Sequence, residues 1–296
     1  MQGTILKAIS GFYYVSVDGI TYECKARGNF RSAGISPLVG DRVEISVTDA
    51  AHGVVEEIFP RRSLIERPLI ANIDKLIIVS AYEVPAPDAL MIDRLTATAV
   101  YQNIQPVIVF NKSDLGDFSA WERIYRLAGF PVYTVSAQHG DGIDALRPEF
   151  DGCISAVAGN SGVGKSSLLN VLFGGLSLQT GEVSRKLGRG RHTTRHTELF
   201  AVGNGGFVAD TPGFSSLEKS ENYEFKEHLA ECFPDFSEAA EHCHFTSCSH
   251  TKEKNCGVLA AVAAGEIAES RHGSYCAILE EMRDLKPWNS QNTKKR

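Results

Sequence analysis

Gly159-Asn160-Ser161-Gly162-Val163-Gly164-Lys165-Ser166 decides the fold, because it fits the phosphate-binding pattern G-x-x-x-x-G-K-[ST]. An apolar run, Ile154–Ala158, precedes it and a predicted helix, Lys165–Phe173, follows it, which is the strand–loop–helix context that the pattern requires. The glycines let backbone amides approach phosphate oxygens, the lysine adds a positive charge, and the serine hydroxyl can ligate Mg²⁺. We therefore predict that residues 159–167, including Ser167, bind a nucleotide, with Lys165 in a catalytic role and Ser166 on Mg²⁺.

A guanine-reading signature lies upstream of this loop, although in a GTPase it ordinarily lies downstream. Asn111-Lys112-Ser113-Asp114 fits N-K-x-D, and Ser136-Ala137 after the next predicted strand matches the loop whose backbone amide contacts guanine O6. Asp114 can accept from N1–H and the exocyclic amine of guanine, whereas adenine would leave that buried charge unpaired. We predict a GTP site formed by Asn111, Lys112, Asp114, Ser136 and Ala137, in a GTPase domain with rotated motif order.

Two switch motifs follow the phosphate loop. Asp210-Thr211-Pro212-Gly213 comes after the apolar residues 207–209, where Asp210 can hold Mg²⁺ through water and the Gly213 amide can sense the γ-phosphate. Between the two lies Gly190-Arg191-His192-Thr193-Thr194-Arg195, where a switch threonine is expected. We favour Thr194 over Thr193 as the Mg²⁺ ligand, and both stay open.

The residue after the second switch motif departs from the familiar site. Phe214 stands where many GTPases place the glutamine that orients the attacking water, and an apolar ring cannot do this. His192 is the nearest side chain that can accept from water at neutral pH, so it is our candidate for that role beside Asp210 and Lys165. The alternative is a solvated loop histidine. Slow intrinsic hydrolysis is expected unless another group or a partner supplies the function.

A cluster of metal-ligand residues lies in the C-terminal third. Cys243-x₄-Cys248-x-His250-x₅-Cys256 supplies three thiolates and one imidazole within fourteen residues. Cys₃His is a closed tetrahedral set for zinc and leaves no position for a catalytic water. We predict one structural zinc ion. His242 and His244 flank Cys243 as alternative ligands, although neighbours in sequence rarely reach one metal together.

The fold class is predicted from the periodicity of apolar residues. Short alternating segments such as Phe12–Val17 and Arg42–Val47, with turns at Gly40-Asp41 and His52-Gly53, indicate a small barrel of the OB type, or of the similar SH3-like type. Later apolar runs alternate with helices, one beginning after Asp88 and one at the capping box Ser119-x-x-Glu122, which indicates a mostly parallel sheet. We expect a multidomain chain: an OB-fold RNA-binding barrel (1–66), an α/β P-loop GTPase domain (67–217), and a mostly helical zinc-binding domain (218–296).

Composition indicates a globular chain in a reducing compartment. Among 296 residues, 43% are hydrophobic and 22% are charged, and the formal net charge of −6 argues against a protein that coats nucleic acid indiscriminately. No stretch approaches the about 18 apolar residues of a membrane-spanning helix. Seven cysteines, an odd number, suit a metal site with scattered thiols better than a disulfide framework. We expect a monomeric cytoplasmic protein with no membrane partner.

The order of these motifs resembles the bacterial ribosome small subunit-dependent GTPase A family. The resemblance rests on guanine loops first, then the phosphate loop, Gly-Arg-His-Thr-Thr-Arg and Asp-Thr-Pro-Gly-Phe, between a small barrel and a Cys-x₄-Cys-x-His-x₅-Cys cluster, and it covers essentially the whole chain. It implies an OB domain, a circularly permuted GTPase domain and a zinc domain. It also implies that His192 matches the proposed catalytic histidine. Some permuted relatives have Asn where this loop has Gly162, which puts potassium activation in doubt.

The same resemblance implies the partner. It points to a GTPase that is stimulated by the small ribosomal subunit and acts late in subunit assembly near the decoding centre, in contact with 16S rRNA. Hydrolysis of GTP to GDP would then release the protein. Two rival interpretations are a GTP-gated zinc metallochaperone and a non-catalytic GTP-dependent RNA-binding scaffold.

Overall fold

A computed structural model describes residues 1–28, 30, 35–66, 68–83, 85–174, 197–210 and 223–286. Its strands are β1 (Gln2–Ile9), β2 (Phe12–Val17), β3 (Ile20–Ala26), β4 (Arg42–Val47), β5 (His52–Ile58), β6 (Leu64–Glu66), β7 (Leu69–Ala71), β8 (Lys75–Ala81), β9 (Gln105–Asn111), β10 (Val132–Thr134), β11 (Ile154–Ala158), β12 (Glu198–Val202) and β13 (Gly206–Asp210). Its α-helices are α1 (Ala89–Tyr101), α2 (Ser119–Leu127), α3 (Ile143–Leu146), α4 (Lys165–Phe173), α5 (Tyr223–Glu227), α6 (Ser237–Ala240), α7 (Gly257–Ala264) and α8 (Glu269–Glu281). None of these helices is long and apolar enough to cross a bilayer.

The described residues form two compact units. The first contains residues 1–76, 143–157 and 165–214, and the second contains residues 77–142, 158–164 and 215–296. The predicted domain boundaries at residues 66 and 217 stay predictions.

A closed five-stranded barrel begins the first unit. The strands run in the order β1-β2-β3-β5-β4, and β4 also pairs with β1, which closes the barrel. Alternating side chains point inward, as strand periodicity requires, and fill a core with Ile5, Val15, Val17, Tyr22, Cys24, Val43, Ile45 and Val55. The OB-type barrel is therefore confirmed, and the predicted bounds of β2 and β4 agree with the structure to the residue.

One predicted turn in the barrel is wrong. His52 and Gly53 begin strand β5, and the turn lies three residues earlier, where the Asp49 carboxylate accepts from the amides of Ala51 and His52, each at 2.9 Å. An Asp side chain that bonds the backbone ahead of it is a turn former in its own right. The His-Gly pair therefore starts the strand.

The sheet of the first unit continues past the barrel. β1 pairs with β12 at Lys7 and Glu198, whose side chains form an ion pair of 2.8 Å. β12 runs antiparallel to β13, and β13 runs parallel to β11. The phosphate loop follows β11, and Asp210 is the last residue of β13, so both signatures leave the carboxyl ends of parallel strands as predicted.

The second unit contains the other strand-helix repeats. β9 and β10 are parallel neighbours, and β8 lies on the other side of β9. The Asp88 side chain caps α1 by accepting from the Met91 amide, which confirms that helix start. The capping box at Ser119 is wrong, because the Asp117 carboxylate accepts from both the amide and the hydroxyl of Ser119 instead. The helix itself is present.

The C-terminal helices of the second unit share a hydrophobic core with α1. Buried side chains of this core come from both parts of the chain: Ala97, Phe225, Leu229, Cys232, Phe233, Phe236, Cys256, Val258, Ala261, Ile267, Tyr275, Ile278 and Met282. Leu90, Val100 and Tyr101 of α1 pack against it. The helical region that carries the cysteine cluster is thus part of the same core as the helix between β8 and β9.

An arginine buried between two carboxylates adds a polar link to this core. Arg271 Nη1 donates to Asp93 Oδ1 at 2.8 Å, while its Nε and Nη2 donate to the two oxygens of Asp235 at 3.0 and 2.6 Å. The guanidinium carbon lies 5.2 Å from the ring centroid of Phe130 and 4.7 Å from that of Phe233. Burial raises the pKa of Asp93, and the charge of Arg271 counteracts that shift.

Replacing Arg271 with methionine is expected to lower the unfolding free energy by about 3–5 kcal/mol, because two buried carboxylates lose their partner. Thermal or urea unfolding measures the loss. The matched control is Arg283→Met, which removes an exposed ion pair with Glu280 in the same region and should cost less than about 1 kcal/mol. Equal stability of the two variants would contradict the assignment of Arg271 as a buried link.

Candidate nucleotide site and metal centre

Two glycines of the phosphate loop sit where no side chain fits. Gly164 has φ +90°, and a Cβ there would lie 2.4 Å from the side-chain nitrogen of Asn111. Gly159 has φ +133°, and a Cβ would lie 2.1 Å from the carbonyl oxygen of Val79. Both positions require glycine for conformation and for space. The two glycines therefore fit the compact loop that the motif predicts, and phosphate binding by that loop stays a prediction.

Asn111 connects three segments of the second unit. It ends β9 and is buried, with Nδ2 donating to the carbonyl oxygen of Val163 at 2.9 Å. Its Oδ1 accepts from the Ala137 amide at 3.0 Å. Sequence reasoning assigned Asn111 to guanine selection, whereas here both side-chain atoms bond to the protein. Asn111 ties the guanine loops to the phosphate loop, and the Ala137 amide is engaged by Asn111.

Asp114 carries the negative charge of this region. Its Oδ1 accepts from Ser136 Oγ at 2.5 Å, and this bond holds the pKa of Asp114 below its usual range. The carboxylate is therefore ionised at neutral pH, as reading of guanine N1–H requires. The sequence analysis missed His139, whose Nε2 lies 3.9 Å from Asp114 Oδ2. Its place three residues after Ser136 in a guanine loop was the available signal.

The other predicted nucleotide residues occupy the expected local elements. Lys112 adopts a left-handed conformation with φ +64°, directly after β9. Asn160, Ser161, Gly162 and Val163 lie in the loop, and Lys165, Ser166 and Ser167 form the first turn of α4. Burial lowers the pKa of Lys165. The predicted His192, Thr193, Thr194, Gly213 and Phe214 lie outside the described residues, as does the side chain of Asp210.

The four predicted metal ligands converge. One ligand atom from each of Cys243, Cys248, His250 and Cys256 lies within 4.8 Å of all the others. Cys243 Sγ is 3.8 Å from Cys256 Sγ, and each of these sulfurs is 3.5 Å from His250 Nδ1. A tetrahedral zinc ion with bonds of about 2.3 Å to sulfur and about 2.0–2.1 Å to nitrogen needs separations of about 3.8 and 3.5 Å. The geometry fits zinc.

A second layer of hydrogen bonds supports these ligands. The Gly257 amide donates to Cys243 Sγ at 3.3 Å, and His272 Nε2 bonds the carbonyl oxygen of His250 at 2.7 Å. The Glu253 carboxylate accepts from the hydroxyl and amide of Ser249 and from the amides of Thr251 and Lys252. These hydrogen bonds, above all the one from the Ser249 hydroxyl, lower the pKa of Glu253 to about 2. Such outer partners fix ligand orientation. His242 and His244 are not part of the ligand set among the described residues.

Two models of known protein families match this chain. The family model described as RsgA GTPase matches residues 58–220, and that described as RsgA N-terminal domain matches residues 2–55. The chain belongs to the RsgA GTPase family. It is therefore a GTP hydrolase, and the guanine and phosphate signatures have the family context that the sequence resemblance implied.

Relatives of the RsgA family match almost the whole chain. A Bacillus anthracis protein named small ribosomal subunit biogenesis GTPase RsgA is 45% identical over 293 residues, covering 97% of this chain and 99% of the relative. One of the same name from Moorella thermoacetica is 44% identical over 284 residues, covering 95% and 97%.

Two solved structures agree with the fold. YjeQ from Thermotoga maritima has a TM-score of 0.83 at 34% identity, covering 96% of this chain and 99% of that one. YloQ, described as a circularly permuted GTPase, has a TM-score of 0.80 at 35% identity, covering 97% and 96%. The rotated motif order predicted from the sequence is confirmed as circular permutation.

Proposed function

We propose that this chain binds the small (30S) ribosomal subunit through its 16S rRNA and assists late maturation, with GTP hydrolysis stimulated by the subunit and coupled to release. The observation that carries the proposal is 45% identity, over 97% of the chain, to a relative named as a small ribosomal subunit biogenesis GTPase. Such a partner places the protein in the cytoplasm, and the proposed state is a monomer.

The proposed chemistry divides between a guanine half and a phosphate half. Asp114 accepts from the base, and Asn111 and Ser136 hold the loops around it. Lys165 stabilises charge on the phosphates, and Ser166 with Thr194 would hold Mg²⁺, which neutralises the charge that develops during phosphoryl transfer. Further nucleotide contacts are proposed for residues 159–164 and 167, Lys112, Ala137 and Gly213. His192 would orient the attacking water, and Asp210 would hold the metal through a water molecule.

The cysteine cluster is proposed to hold one structural zinc ion. All four protein ligands are present, so the site is closed to substrate. His250 and Cys256 are buried, and Glu253 and His272 brace the surrounding turn. A metallochaperone needs a metal that can leave readily, and a four-ligand set that is half buried and braced by hydrogen bonds favours permanent binding over transfer.

The loop between Cys243 and Cys256 presents an exposed surface that suits RNA. Phe245 is 51% exposed, and its ring meets that of His244 edge-on at a centroid distance of 4.8 Å. The His244 amide donates to the carbonyl oxygen of Asn255, beside the exposed Lys254, and Lys252 is exposed on the same loop. Aromatic rings stack on unpaired bases and lysines pair with phosphates. We assign this surface, the Phe245 surface, to single-stranded segments of rRNA.

GTP turnover with and without purified small subunits tests the function. We expect slow turnover alone and strong stimulation by subunits, because Phe214 cannot orient water and, in this proposal, His192 takes that role only when the subunit is bound. Sedimentation should show tight binding with a non-hydrolysable GTP analogue and weak binding with GDP. Equal binding in both nucleotide states, or unchanged turnover, would refute the proposal.

A variant of the Phe245 surface tests the contact itself. Phe245→Ala should weaken binding to the subunit about tenfold, since stacking on one base contributes about 1–3 kcal/mol. Turnover without subunits should not change. The matched control is Leu127→Ala, which removes a similarly exposed apolar side chain (47%) from α2 of the same unit. If both variants bind like the parent protein, the surface does not contact RNA.

A further inference from the structure

The loop after β10 closes around the hydroxyl of Ser136. The Ser136 amide donates to the carbonyl oxygen of Asp141 at 3.0 Å, and the Gly140 amide donates to that of Ser136 at 2.8 Å. The His139 amide donates to Ser136 Oγ at 3.2 Å, and that hydroxyl donates to Asp114. These bonds fix the backbone from which the His139 side chain extends beside Asp114.

The two oxygens of the Asp114 carboxylate have different neighbours. Oδ1 is held by Ser136 Oγ at 2.5 Å, while Oδ2 faces Nε2 of His139 at 3.9 Å. The Asp114 side chain is 19% exposed and that of His139 is 55% exposed, so the imidazole stands on the solvent side of the carboxylate. One oxygen is therefore fixed by a hydrogen bond, and the other has the imidazole as its neighbour.

We propose that His139 is a positioning residue for guanine specificity. Its imidazole lies beside the second oxygen of Asp114 and limits rotation of the carboxylate out of the plane in which that oxygen accepts from the 2-amino group of guanine. This inference rests on the proposed function in one respect, namely that Asp114 reads the base.

The chemistry of the base explains why such positioning matters. Guanine presents two parallel donors, N1–H and the 2-amino group, and both oxygens of one carboxylate must lie in the base plane to accept them. Hypoxanthine has N1–H but no 2-amino group. A carboxylate that is fixed only at Oδ1 can turn about its hydrogen bond to Ser136. Such a turn loses the hydrogen bond from the 2-amino group and keeps the one from N1–H. Loss of His139 should therefore weaken guanine nucleotides selectively.

Binding of GDP and IDP to the full-length protein tests this inference without any dependence on hydrolysis. His139→Ala should weaken GDP about fivefold, because one charge-assisted hydrogen bond loses its alignment, and should leave IDP within about twofold. His139→Gln, which keeps a side chain of similar reach beside the carboxylate, should restore most of the preference in affinity for GDP over IDP. The matched control is His228→Ala, since His228 is similarly exposed (53%) and pairs with Glu231. That variant should bind both nucleotides like the parent protein.

The outcomes separate this inference from the site assignment. If His139→Ala weakens the binding of GDP and IDP equally, the effect is a general one on the loop. If the preference in affinity for GDP over IDP is unchanged or increased, the imidazole does not align the carboxylate. Either result overturns the inference. If Asp114→Asn itself leaves the base preference unchanged, the assignment of Asp114 fails, and that failure is visible independently of the His139 variants.

Discussion

Asp114→Asn is expected to weaken GTP binding about 100-fold and to give the protein a new preference for XTP. In the proposed site the carboxylate accepts two hydrogen bonds from guanine, each about 1.5–3 kcal/mol when charge-assisted, and the amide can keep only one as an acceptor. Xanthine carries a carbonyl in place of the 2-amino group, so the new amide N–H gains a partner there. Competition binding of GTP, XTP and ITP measures the change in relative affinity for the three nucleotides.

A nearby carboxylate supplies the control for this experiment. Asp117 lies three residues after Asp114, but it binds the amide and hydroxyl of Ser119 at the start of α2. Asp117→Asn should still bind GTP more tightly than XTP, and it should lower the stability of the protein slightly. A variant at Asp114 that loses GTP without gaining XTP would mean that the side chain supports the loop without reading the base.

Loss of one metal ligand should have a comparably large effect on the second unit. Cys248→Ser is expected to reduce bound zinc from about one ion per chain to near zero and to abolish cooperative melting of the C-terminal helices. The apparent binding free energy of a structural zinc, about 10–16 kcal/mol, is comparable with the whole stability of a domain, about 5–15 kcal/mol. Metal analysis with circular dichroism during heating measures both quantities.

Cys276→Ser is the matched control for the zinc experiment. It makes the same chemical change on α8 of the same unit, at a thiol that contacts His272 and is outside the ligand set. It should keep the zinc ion and melt close to the parent protein. A Cys248→Ser protein that retains one zinc ion and an unchanged melting temperature would show that the cluster does not need its fourth ligand.

Local patterns were sufficient for most elements and for the convergence of the four Cys and His residues of the metal cluster. Strands such as β2 and β4 were predicted because alternation and flanking turns act over a few residues. The hydrogen bond from Asn111 to the carbonyl oxygen of Val163 was not predicted, because Val163 lies 52 residues later and only the tertiary fold brings the two residues together. Arg271 looks like a solvated helix residue until Asp93, 178 residues away, is placed beside it. Long-range polar partners have no local signal.

The pairing of Asp93 with Arg271 has a consequence for how the protein is made. Chains emerge from the ribosome N-terminus first, so α1 is synthesised long before α8. Until residue 271 has been added, Asp93 has no arginine to neutralise it, and the apolar side of α1 has no helices to cover it. We therefore expect the second unit to complete its core only when nearly the entire chain has been translated.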